Sequence, residues 1–171
     1  MMLEANEEDV VQLLIASPGG RLDGLNVLLE GIRATSAHVV GVSLGEASSA
    51  AAILALNCDE TVVTNSSEML IHNVRYGTFG KASDISAHVL HTNKMAERLF
   101  RETFAGYLTE QEIVQVLDGR EMFLDPDEIS QRLQNRDKFH AEQEKILEAE
   151  IQKQIEASEA PKPKARRSKR T

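Results

Sequence analysis

Two adjacent serines, Ser48 and Ser49, stand in the run Gly45-Glu46-Ala47-Ser48-Ser49-Ala50, and a histidine closes the run Met69-Leu70-Ile71-His72. A serine hydroxyl is a poor nucleophile at neutral pH and needs a base, which imidazole can supply. The small neighbours of the serines let the backbone approach a substrate. A helix starting there would offer orphan N–H groups and positive dipole charge to an oxyanion. Ser17-Pro18-Gly19-Gly20 is a second place where glycine exposes backbone amides. The chemistry these residues could do together is acyl transfer. Each alone has an ordinary structural role: a serine as helix N-cap, a Gly-Gly pair as a turn, a histidine as a satisfied strand end.

Three strands and the helices between them must position these groups. Residues 10–16 form a short apolar, partly β-branched run that reads as a buried parallel strand, and Ser17 to Gly20 turn the chain. Leu25, Leu28, Leu29 and Ile32 recur at helical spacing over 22–32. Residues 38–44 read as a second strand that Gly45 breaks, with a small-residue helix running from Ala47 to Leu56. Residues 60–64 and 69–72 read as two more strands. Alternation of strands and helices predicts βαβ crossovers and an α/β fold with a mainly parallel sheet and a β-hairpin. Ile85, Val89, Met95, Leu99 and Phe104 predict one long helix over 83–108. Both the Ser17–Gly20 turn and the serine elbow then lie at carboxyl ends of strands, where open α/β sheets bind ligands.

From about Pro126 the composition turns to Glu, Gln, Lys and Ala. Phe139, Ile146, Ile151 and Ile155 give a thin stripe, which predicts a long, mostly exposed helix that could pair with a second copy. Pro161 and Pro163 end it. The division expected is a catalytic domain over 1–133, a polar helix over 134–160 and a disordered basic tail over 161–171.

The chain has 171 residues, with 19 Lys+Arg, 27 Asp+Glu and a net charge of −8. Six of the basic residues fall in the last eleven, leaving residues 1–160 at −14. A body so acidic argues against specific nucleic-acid binding. No apolar run reaches the roughly 20 residues that span a bilayer, and the acidic start is unlike a secretory signal. One cysteine, Cys58, allows no internal disulfide, reads as a small core residue, and makes a cytoplasmic location the expectation. Liganding Cys and His at zinc-finger spacing are lacking.

Together these motifs resemble the Clp protease proteolytic subunit (ClpP) family of self-compartmentalised serine peptidases, from roughly Asp9 to Leu133. Ser17-Pro18-Gly19-Gly20 is similar to the family's oxyanion-strand motif. Gly45 to Ala50 is similar to its nucleophile motif, and Met69 to His72 to its Met-Ile-His motif. Gly77-Thr78-Phe79-Gly80-Lys81-Ala82-Ser83-Asp84-Ile85 resembles the stretch that opens its handle helix. The resemblance implies a ClpP/crotonase-like fold and a peptidase cleaving unfolded polypeptides inside an oligomeric chamber, with no cofactor and no metal. It places the nucleophile at Ser49 rather than Ser48, the base at His72, and the oxyanion donors at the Gly20 and Ala50 amides. The acid falls on Glu121 where the family usually has Asp. Phage-type members similarly carry Glu, and Asp118 is the other candidate.

Two departures from the family pattern shape the remaining expectations. The family has an axial loop, a helix and a strand before the Ser-Pro-Gly-Gly strand, so this chain reads as truncated, late-started or split. Its usual short C-terminal strand is replaced by the polar helix and basic tail, as expected of a phage-like member. Implied partners are polypeptide substrates, further copies in a ring, and an AAA+ unfoldase or a phage structural protein. The alternative is an impaired assembly subunit that modulates a full-length partner. An acyl-thioester enzyme of the crotonase superfamily ranks third, because that chemistry does not call for Ser49 and His72.

Overall fold

The computed structural model describes residues 4–159; the basic tail lies outside them. Five strands form one sheet: β1 (Val10–Ser17), β2 (His38–Ser48), β3 (Glu60–Val63), β4 (Glu68–Ile71) and β5 (Met122–Leu124). The helices are α1 (Leu22–Ala34), α2 (Ala50–Leu56), α3 (Ala82–Phe104), α4 (Glu110–Leu117) and α5 (Pro126–Glu159). β2 is the spine of the sheet. β1 runs parallel along one edge of it, while β3 and β4, both parallel, divide the other edge between them. β5 closes that side antiparallel to β4. The βαβ crossovers are as expected, but no hairpin forms among the described residues. The one antiparallel pair, β4–β5, is joined through α3 and α4.

β2 does not stop at Gly45. It pairs through Ser43 with β3 and again from Glu46 to Ser48 with β4. On its other edge Ile15 faces Ser43 but Ser17 faces Ala47, so β2 carries extra residues around Gly45. Glycine inside a strand marks a bulge here rather than an end. The switch from β3 to β4 is secured by hydroxyls. Thr64 Oγ1 and Ser67 Oγ both donate to the Ser43 carbonyl, at 2.9 and 2.8 Å. Ser43 and Ser67 are fully buried yet satisfied.

The long helix also ends earlier than its apolar spacing predicts. α3 stops at Phe104, and the chain turns through Gly106 at φ 74° before α4. Thr109 starts α4 with a capping box: its hydroxyl accepts from the Glu112 amide, and Glu112 accepts from the Thr109 amide. Phe100, Phe104 and Tyr107 then pack with Leu56, Met69 and Ile71 in the main core. Burial pushes the Tyr107 phenol above its ordinary pKa, and its hydroxyl meets Met69 Sδ at 3.4 Å. Cys58 is buried behind Gly41 and α2, and desolvation raises its thiol to about 11, so it stays un-ionised.

α5 begins at a second box, in which Asp125 and Glu128 bond each other's amides and Pro126 takes the first helical position. Its first four turns are part of the body. Ile129 is fully buried, Arg132 forks onto Glu112, and Arg136 donates to the last α2 carbonyl, Leu56, at 2.6 Å. Phe139 lies against Gly106, so close that a Cβ on the glycine would sit 2.6 Å from the ring. Residues 140–156 are exposed.

The Arg132–Glu112 pair gives the stability a pH dependence. Hydrogen bonds from Arg132 first, then from Thr109, outweigh desolvation and hold the Glu112 carboxyl at about 2. A carboxyl depressed on folding stabilises the fold above its unfolded pKa and loses that contribution as pH falls towards the folded value. Chemical denaturation should therefore show stability lost between roughly pH 4.5 and 2, on the order of 1 kcal/mol of it attributable to this partly buried pair. Glu112→Gln should remove that share of the pH dependence, and an unchanged acid limb would refute the assignment.

Candidate active site

The extra length of β2 carries the chain to Ser49, which is the one described non-glycine residue with positive φ (57°). Its ψ of −120° makes it a tight elbow between β2 and α2. Such a conformation is strained for a residue with a side chain and needs outside support. The support is visible. The Ser49 amide donates to the Leu70 carbonyl of β4 at 2.8 Å, and its carbonyl accepts from Ala52 and Ile53 in α2. Ser48, one residue earlier, is still strand, paired with Leu70. It faces a separate pocket with Glu46 and Glu68.

Gly19 packs directly on the elbow. It has φ 96°, and a Cβ there would come within 2.5 Å of the Ser48 carbonyl and 2.8 Å of Ser49 Cβ. The Gly19 amide donates to the Ser17 hydroxyl at 3.2 Å. The next amide in this loop is Gly20, and a Cβ added there would meet no atom within 4 Å outside its chain neighbours. The Ala50 amide opens α2, where first-turn N–H groups have no intrahelical acceptor.

Gly20, Ser49 and His72 line one cleft of about 610 Å³, together with Arg21, Asp23 and Arg75. His72 follows the last residue of β4, and its Nδ1 lies 2.6 Å from the Asn73 carbonyl. A carbonyl only accepts, so Nδ1 carries the proton, and Nε2 is left as the basic nitrogen. Asn73 itself is fixed, its amide donating to the Leu117 carbonyl at 2.6 Å. The β4–β5 ladder pairs Ile71 with Met122, so the next positions along it are His72 and Glu121. The Glu121 carboxylate is nevertheless held by Arg75. Asp118 caps the C-terminus of α4 and is exposed.

Asn73 and Arg75 are the participants that the sequence reading missed, and Gly19, read there as part of a motif turn, packs on the elbow itself. His88 stands on the cleft wall with its ring 6.1 Å from that of Tyr76. The Tyr76 hydroxyl in turn donates to Asn93 at 2.7 Å, tying the segment after His72 to α3. Pro-Gly-Gly did mark the turn that places Gly19. Nothing in the spacing of Arg75 and Glu121, 46 residues apart, announces their contact.

A strained serine at a strand–helix elbow that shares a cleft with a histidine and a glycine amide is an arrangement that could carry acyl-transfer chemistry. Residues 1–132 match the Clp protease family model, and the chain belongs to that family. Serine peptidase chemistry on polypeptides is the general property of the family. Among the described residues no helix is long and apolar enough to cross a membrane.

Proposed function

We propose that the chain is a ClpP-like serine endopeptidase with Ser49 as nucleophile and His72 as general base. His72 Nε2 takes the Ser49 proton as Oγ attacks a peptide carbonyl. The Gly20 and Ala50 amides hold the oxyanion, and His72 returns the proton to the leaving amine. Water then enters by the same base and frees the acyl group. Glu121 is the carboxylate that steadies the imidazolium, and unfolded polypeptide in a chamber built from several copies is the substrate setting. The observation that carries this reading is the Ser49 elbow: strain of that kind survives only where surrounding structure over-determines it, and it concentrates at reactive sites.

Labelling of the folded protein with a fluorophosphonate probe tests it. Labelling of the parent and of Ser48→Ala, with none in Ser49→Ala, is the expected result. An unlabelled, folded parent would instead support a non-catalytic assembly subunit, the reading favoured by the engagement of Glu121 with Arg75 rather than His72. Recovery with a full-length paralogue would then be the result to look for.

A further inference from the structure

Three charged or polar groups at the cleft have more than one possible partner. His72 Nδ1 needs an acceptor, and its own neighbour's carbonyl fills that role at 2.6 Å. His72 and Glu121 each lie one residue beyond the last β4–β5 pair, Ile71 with Met122, and continuing that antiparallel register sets them opposite each other, where opposed residues lie about 5 Å apart at Cβ. Arg75 reaches the same carboxylate from the loop that follows β4. The other cation of the cleft, Arg21, is committed to Asp23 through three hydrogen bonds of 2.8–3.2 Å. Arg75 is therefore the cation in the cleft that controls where Glu121 points, and Tyr76 and His88 are the remaining titratable groups on the wall.

We propose that Arg75 is a positioning residue that latches the site in a resting arrangement. While Arg75 holds Glu121, the imidazole is oriented by a neutral carbonyl. That fixes the tautomer but gives an imidazolium no countercharge. When Arg75 lets go, Glu121 can accept from His72 Nδ1 in place of the Asn73 carbonyl, a shorter and stronger charge-assisted bond. The latch is made to open: Arg75 is three-quarters exposed, and exposed ion pairs are weak and salt-sensitive. The proposal rests on the assignment of His72 as base, and it concerns which acceptor that histidine uses rather than whether Ser49 reacts.

The test uses Arg75→Gln, Arg75→Lys, Glu121→Gln and the double variant Arg75→Gln/Glu121→Gln in the full chain. The first readout needs no activity: the ¹⁵N and ¹H resonances of the His72 ring by NMR. Arg75→Gln should move the Nδ1 signals towards those of a carboxylate-bonded imidazole. Arg75→Lys should resemble the parent, and the double variant should revert to it. The second readout is the rate of fluorophosphonate labelling, which Arg75→Gln should raise by about tenfold if the unlatched form is a minor population of the parent. Unmoved His72 signals in Arg75→Gln, or equal movement in the double variant, would overturn the latch. Moved signals with no labelling in any variant would leave the latch standing and sink the peptidase reading.

Discussion

Gly19→Ala should leave Ser49 unlabelled by a fluorophosphonate while the protein remains folded but less stable. Two physical effects act at this position. The backbone there has φ 96°, which an alanine adopts only at a cost of roughly 1 kcal/mol or more. The added methyl would also meet the Ser48 carbonyl at 2.5 Å, Ser49 Cβ at 2.8 Å and the Ala50 nitrogen at 3.0 Å. Those are backbone atoms and a stiff Cβ, not the loose end of a side chain. Relief requires moving the Ser17–Gly20 loop away from the elbow, which carries the Gly20 amide off with it. Losing one oxyanion donor costs about 10²–10³ in rate, and the elbow is disturbed in the same step. The expected stability loss is about 1–3 kcal/mol. Gly20→Ala is the control, because the added Cβ would enter open space; it should fold with near-parent stability. A Gly19→Ala protein labelled at the parent rate would contradict the close packing of loop on elbow.

Ile129→Ala should be the most destabilising single truncation in α5, at about 2–5 kcal/mol. Ile129 is fully buried in the main core, with Leu133 packed behind it one turn on. Its removal leaves a cavity beneath a helix that two arginines, Arg132 and Arg136, hold in place from the side. The surroundings can therefore not collapse freely into the space. Ile151→Ala, on the same helix but half exposed, should change stability by no more than about 0.5 kcal/mol. Denaturant melts of the two variants measure the difference directly. Equal effects would mean that the far half of α5 is packed in solution, whether against the body or against another copy.

This contrast bears on how much could be read from the chain alone. The alternation of strands and helices, the two motif turns and the long C-terminal helix are local signals, and they appear in the sequence as patterns of apolar residues and glycines. The end of β2 is different. Gly45 argues locally for a break, but pairing with β1 on one side and β4 on the other carries the strand past it. Tertiary hydrogen bonding overrides propensity there, and it decides that the elbow falls at Ser49 and not at Ser48. α4 was legible in principle, since Thr109-Glu110-Gln111-Glu112 is a capping box, but the apolar spacing through Phe104 masks it. The docking of α5 through Phe139, beyond the expected boundary at Leu133, depends on a glycine-sized gap at Gly106 that only the folded chain displays. Within the site, serine, histidine and glycines came from motifs, whereas the partner of Glu121 came from geometry.

β2 is paired along both edges on either side of its bulge at Gly45, and the Ser49 amide is itself bonded to β4. A reactive residue on a surface loop can be lost through local fraying while the domain stays intact. Here the nucleophile terminates the most enclosed strand of the sheet, so no small opening should release it. The ladder-bonded amide protons of β2 should exchange with solvent only through global unfolding. Heat or denaturant should then silence the serine and melt the domain in one transition, without an interval in which a folded protein has lost its elbow.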